Sequence, residues 1–221
     1  MEFKAFSKIP RLNRDIIITE KIDGTNGLIY IDETGKNMLV GSRTRWITPE
    51  ADNYGFARWA RDNESDLLLL GPGFHYGEYW GQGIQRKYGL TEKRFSLFNV
   101  HRWIETPEIS YSGDSGVMQR IETTDYTNRK QPPKVTVSYL PGPTCCHVVP
   151  TLYTGPFDSE KIAEQLLLLT GGGSKAAPGF MNPEGIVVYH TAARQLFKVT
   201  VEHDEAPKSF IGRDGVDLPT V

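Results

Sequence analysis

The stretch Thr19–Gly27, TEKIDGTNG, sets a lysine beside two carboxylates in apolar surroundings. Ile16-Ile17-Ile18 run into Glu20-Lys21, then Asp23-Gly24, then a second apolar run. One reading is a β-hairpin closed by the Asp-Gly pair, with Lys21 a solvated edge residue. The other is chemical, because ionic residues recur at later strand-like runs. These are Arg43 and Arg45 after Met38–Ser42, Glu78 in FHYGEYW, Glu184 entering EGIVVYH, and Lys198 in QLFKVTV. Charges in apolar strands are costly unless they are paired or used. Brought together, such cations and carboxylates could engage a triphosphate and its Mg²⁺.

Other candidate motifs fall short. GGGSK at Gly171–Lys175 lacks the GxxxxGK[ST] spacing of a phosphate loop, follows a helix and is closed by Pro178, so it reads as a helix C-cap and loop. GEYWGQG at Gly77–Gly83 does not fit GxGxxG. Cys145 and Cys146 are adjacent, rarely a disulfide geometry and at most half a zinc site, so they are expected to be unreactive thiols in a reducing compartment. His75, His101, His147, His190 and His203 show no metal-ligand spacing.

The elements that must position these residues are mostly strands. Runs dense in Ile, Val, Tyr, Phe and Thr occupy Ile16–Thr19, Gly27–Ile31, Met38–Ser42, Phe74–Trp80, Phe95–Val100, Val135–Tyr139, Val148–Tyr153, Gly185–His190 and Gln195–Val201. Two segments carry helical spacing: Tyr54–Leu69, and Ser159–Leu169 with Asp158 or Ser159 as N-cap and a stop at Gly171-Gly172-Gly173. Many strands, few helices and no βα alternation predict an α+β fold, antiparallel-rich sheets flanked by helices, and argue against a Rossmann fold. Glu105–Pro143, rich in Ser, Thr, Gly, Pro and Asp, reads as a loop-rich surface insertion (about 105–143) with one strand inside.

Composition narrows the classes. The chain has 221 residues, 38% of them hydrophobic, enough for a real core. Twenty-five Lys and Arg against 27 Asp and Glu give a charge of −2, so nucleic-acid contact would need a local patch. No apolar run approaches the ~20 residues that span a bilayer, and the N-terminus lacks a secretion signal. The expectation is a protein without membrane association, a monomer, in a bacterial or phage-infected host cytoplasm.

KIDGTN at Lys21–Asn26 resembles motif I, KxDG, of the covalent nucleotidyltransferases: ATP-dependent DNA and RNA ligases and mRNA-capping enzymes. Further motifs follow in the family's order. SRTR (Ser42–Arg45) resembles motif Ia, YGEYWG (Tyr76–Gly81) motif III, FSLFNV (Phe95–Val100) motif IIIa, PEGIVV (Pro183–Val188) motif IV and FKVT (Phe197–Thr200) motif V. Asn26, where DNA ligases and capping enzymes usually carry Arg, is similar to the GTN of nick-sealing RNA ligases of the phage T4 second type. The resemblance implies the family's adenylation domain as a single nucleotidyltransferase domain over 1–221. With about twenty residues after Val201, no appended OB-fold is expected.

It also implies roles. Lys21 would attack the α-phosphorus of ATP, giving lysyl-AMP and pyrophosphate, then an adenylated 5′ end sealed to a 3′-OH. Attack requires the neutral amine, which at an ordinary lysine pKa of about 10.4 is roughly 1 molecule in 2,500 at pH 7. Burial between apolar strands, with Lys198 and Mg²⁺ nearby, has the right sign to raise that fraction. Glu184 would lie at the metal, Mg²⁺ or Mn²⁺, and Lys198 would neutralise the α-phosphate. Glu20 would meet the adenine amine, with Ile22 beside the cofactor, Phe98 stacking on the base, Glu78 accepting from the ribose and Arg43 contacting ribose or phosphate. Asn26 and Arg45 would serve the polynucleotide. Five cations between Trp80 and Trp103, including Arg86 and Lys87, stand against one acid, Glu92, among aromatics, the composition of a backbone-holding strip.

Motif V departs from its usual KxK, since Thr200 stands at the second lysine's place. The expected partner is RNA, as nicked duplex or DNA/RNA hybrid. Three readings stay open: an RNA ligase; a DNA nick ligase or an adenylyltransferase without sealing; and a catalytically inactive nucleic-acid-end-binding module.

Overall fold

A computed structural model of the chain describes residues 1–106, 116–125, 133–202 and 204. Two stretches of the expected insertion, 107–115 and 126–132, together with His203 and the chain after 204, lie outside the described residues. The chain divides into two compact units: residues 1–22 with the chain from Pro150 onward, and Asp23–Val149.

The first unit is a four-stranded antiparallel sheet, order β11-β1-β12-β13, with one helix packed on it. The strands are β1 (Asp15–Lys21), β11 (Thr151–Pro156), β12 (Gly185–His190) and β13 (Gln195–Thr200). Alternation decides the faces. Ile16 and Ile18 of β1 and Ile186 and Val188 of β12 are buried against Leu169, Leu166 and Ile162 of α3 (Ser159–Gly172). Asp158 caps α3, its side chain accepting from the N–H groups of Glu160 (2.8 Å) and Lys161 (3.4 Å). The helix runs three residues past Leu169 and stops only at Gly173, where φ is +78°.

The second unit is a six-stranded sheet, order β10-β6-β5-β2-β3-β4, joined by a three-stranded one. The larger comprises β2 (Thr25–Ile31), β3 (Met38–Gly41), β4 (Trp46–Ile47), β5 (Gly73–Gly81), β6 (Lys93–Leu97) and β10 (Cys146–Val148). Only β10 and β6 pair in parallel among the described strands. The core lies on one face, where Ile29, Ile31, Tyr79 and Phe95 meet Phe56, Ala60 and Leu67 of α1 (Phe56–Asp62) and α2 (Glu64–Leu67). The single helix expected over Tyr54–Leu69 is thus two, broken at Asn63, whose backbone leaves helical geometry (φ −111°, ψ +16°) while its N–H and its side-chain amide both donate to Trp59 O.

Three other expectations change. Val148–Tyr153 is two strands belonging to different units, because Pro150 has no N–H for a ladder. The insertion is more ordered than expected: β8 (Val117–Asp125) and β9 (Lys134–Pro141) form an antiparallel pair against β7 (Trp103–Glu105), so two strands lie inside it. The hairpin reading of Thr19–Gly27 fails, since β1 pairs with β11 and β12 while β2 pairs with β3 and β5. The α+β, mostly antiparallel reading holds.

Cys146 is fully buried, and a hydrogen bond with Cys145 together with burial pushes its thiol well above the ordinary range. That agrees with an unreactive thiol. Among the described residues no helix is long and apolar enough to cross a membrane. Replacing Asp158 by Ala is expected to cost about 1 kcal/mol of stability, measured by urea unfolding. An unchanged midpoint would show that the cap does not hold α3.

Candidate active site

In the first unit, β1 delivers Lys21 at its C-terminal end, paired with Gly185 of β12. That register sets Nζ 2.6 Å from Oε2 of Glu184, the residue just before β12. Glu184 is 2% exposed, whereas the Lys21 side chain is a quarter exposed. A buried carboxylate needs a cation or hydrogen-bond donors to remain an ion, and removing one member of a buried pair costs about 3–5 kcal/mol. The charge that the structure places at Nζ is a carboxylate. Gly185 sits at φ +153°, and a Cβ there would run into the backbone oxygen of Val199, so this position of the Lys21 row accepts only glycine.

Lys198 stands on the same sheet face as Lys21, because Thr19 pairs with Val187 and Val187 with Lys198. Two strand spacings and a two-residue offset put their Cα atoms roughly 12 Å apart. Lys198 is exposed. Thr200, opposite Gly185, donates from its N–H (2.8 Å) and its hydroxyl (3.2 Å) to Asp204.

Glu20 points the other way, to the α3 face, and is 1% exposed. Its oxygens accept from the Ser174 hydroxyl (2.6 Å) and from the N–H groups of Lys175 (2.7 Å) and Ala176 (2.9 Å). The side chain that the resemblance sends to the adenine amine is thus committed to the loop after α3. Sequence reasoning missed this use of GGGSK. The signal was an N–H-rich turn after a helix, which suits a carboxylate. Ile22 is buried, at 4% exposure.

In the second unit the rest of motif I is held by side chains. Asp23 N–H donates to the Tyr88 hydroxyl (2.8 Å), and Gly24 N–H to Oε1 of Glu78 (3.0 Å). A Cβ on Gly24 would stand 2.5 Å from Tyr79 O, which is why glycine follows Asp23. Asn26 Nδ2 donates to Oε2 of Glu78 (3.2 Å), so both oxygens of that nearly buried carboxylate accept from motif I. Phe98 is 41% exposed and lies outside the core cluster, so packing alone does not account for it. Arg43 is exposed, as is Arg45, whose Nη1 donates to Ala51 O (3.3 Å).

The basic strip is less open than its composition suggests. Arg86 Nε pairs with Asp23 (3.2 Å), Lys93 donates to Tyr54 O (2.6 Å), Arg94 pairs with Glu92 (2.6 Å) and Arg102 donates to Leu70 O (2.7 Å). Lys87 is exposed, in a loop where Gln85, Lys87 and Tyr88 all have positive φ. Among the described residues no three His, Cys, Asp or Glu cluster as a metal site. Glu184 is one carboxylate, enough for Mg²⁺, which keeps most of its waters or takes phosphate oxygens.

Solved structures share this α+β architecture. A variant of Naegleria gruberi RNA ligase without ligand aligns at 20% identity and TM-score 0.52, covering 85% of this chain and 50% of that one. A second variant, solved with ATP and Mn, gives 21% identity and TM-score 0.51 over 85% and 49%. A third, also with ATP and Mn, gives 19% and 0.51 over 86% and 51%. The present chain thus spans about half the length of those proteins. No curated protein matches. The profile of the RNA ligase family matches residues 14–200, and the chain belongs to that family.

Glu20→Ala would leave the buried Ser174 hydroxyl and two loop N–H groups without their acceptor. A loss of roughly 2–4 kcal/mol in urea unfolding is expected, and a loss below about 0.5 kcal/mol would show that this loop is not anchored there.

Proposed function

We propose that this chain is an ATP-dependent polynucleotide ligase, acting on RNA, built on the covalent nucleotidyltransferase fold. It joins 3′-OH and 5′-phosphate ends through a lysyl-AMP on Lys21. The observation that carries this reading is the Lys21 amine, delivered by a buried strand within hydrogen-bond reach of the buried Glu184. Family membership and the ordered motifs around that pair support it.

In the first step Nζ gives up a proton to water and forms a bond to the α-phosphorus of ATP. The bond from that phosphorus to the bridging oxygen breaks, and pyrophosphate leaves with the electron pair. The adenylyl group then passes to a 5′-phosphate, and a 3′-OH displaces AMP. Glu184 keeps Nζ in place and is the group to hold Mg²⁺ or Mn²⁺. Such an ion, when bound, neutralises phosphate charge. Lys198 faces the α-phosphate as a second positive charge.

Phe98 offers an exposed ring to the base, and Glu78 and Arg43 serve the ribose and phosphates. Ile22 lines the nucleotide site. Glu20 acts through the loop it holds rather than by reading the adenine edge. Asn26, Arg45 and Lys87 serve the polynucleotide, with Arg86 sharing its charge with Asp23.

Incubation with ATP labelled at the α-phosphate, followed by a denaturing gel, tests this directly. Label is expected on the wild type and none on Lys21→Ala, with Lys198→Ala slowed ~10²–10³-fold, as for loss of one charge-stabilising donor. Wild-type protein freed of bound AMP that takes up no label would favour the end-binding module instead. Asn26→Ala is expected to keep the label but lose sealing of nicked RNA, and equal loss in both steps would remove Asn26 from the sealing role.

A further inference from the structure

The outer face of the six-stranded sheet, opposite the core, is not the polar surface that alternation would give it. Its positions follow from the register: Tyr30 pairs with Phe74 and Leu39, Leu28 with Tyr76 and Gly41, Gly41 with Trp46, and Asn26 with Glu78. Phe74 and Tyr76 are each 56% exposed, and Trp46 and Leu39 51%. Tyr30 bridges the aromatics, its ring centroid 4.6 Å from Phe74 and 6.3 Å from Trp46. Phe74 and Tyr76 lie nearly parallel, at 13°. Phe98 continues the row, its N–H donating to Tyr76 O.

We propose that this aromatic face is a stacking platform for the bases of the polynucleotide strand next to the end being joined. The proposal rests on the ligase reading above and gives it a substrate-binding surface beyond the nucleotide site. Three observations favour bases over a protein partner. The large groups are mostly flat rings, half open, and rings accept any base. The described strand positions of this face include one acid, Glu78, and it accepts from Gly24 and Asn26, while Arg43 and Arg45 stand exposed on the β3–β4 turn that leads into Trp46. That sign of charge suits a phosphate backbone. Finally, the row is continuous: four residues along β5, about 13 Å, connect Phe74 to Glu78.

The test uses Phe74→Ala, Trp46→Ala, Phe74→Tyr and Arg45→Ala. Anisotropy of end-labelled single-stranded RNA is read at several salt concentrations, with self-adenylation measured on the same samples. Each ring removal is expected to weaken RNA binding roughly 5- to 150-fold, without changing the salt slope or the adenylation rate. Phe74→Tyr should restore affinity, and Arg45→Ala should lower the salt slope. If the ring variants bind RNA like the wild type, or lose adenylation in proportion, or if the wild type does not bind RNA, the platform is overturned. A wild type that binds RNA through these rings but takes up no label would sink the ligase reading and leave the platform standing.

Discussion

A carboxylate shut away from water needs a cation or donors where it stands, and for Glu184 the cation is the Lys21 amine. The pair Lys21–Glu184 therefore constrains everything around it. Glu184 has to come at the start of β12, Lys21 at the end of β1, and the two strands have to meet in the register that puts Lys21 across from Gly185. The register is held from behind by Ile16, Ile18, Ile186 and Val188 against α3. Slipping one strand by one residue would turn its two core residues toward the wrong face. The ladder to β11, by contrast, shifts between Ile18 and Thr19, and Glu20 N–H goes to Pro150 O. The regular side of β1 is the side that carries the ion pair.

The acids nearest the lysine in sequence and in motif III solve a different problem. Loop N–H groups that no ladder pairs still need acceptors. Glu20 provides them for Lys175 and Ala176, and Glu78 for Gly24. The Tyr88 hydroxyl does the same for Asp23. Short motifs rich in glycine and acid are thus partly self-supporting structure, and their carboxylates hold the chain.

How much of this the sequence disclosed depends on whether the signal was local. Gly185–His190 and the capped helix after Asp158 follow from alternation and N-cap chemistry, and both lie where those rules put them. Strand partnership is not local, and nothing in TEKIDGTNG distinguishes a hairpin from two strands sent to different sheets. β8 was hidden because MQRIETT is polar enough to resemble loop. Lys21 and Glu184, 163 positions apart, could be brought together beforehand only by resemblance to a family. The partners of Arg86 and Arg102 were invisible for the same reason, so a stretch rich in positive charge looked more open than it is.

Glu20 and Lys21 are neighbours in the chain yet look in opposite directions, as adjacent strand residues must. Exchanging the two letters would keep composition, net charge and strand propensity almost unchanged. It would nonetheless aim an ammonium at three hydrogen-bond donors behind the sheet and set a second negative charge against Glu184 in front. The dipeptide is legible only in one order. Its grammar is imposed by the pleat of the strand rather than by either residue alone.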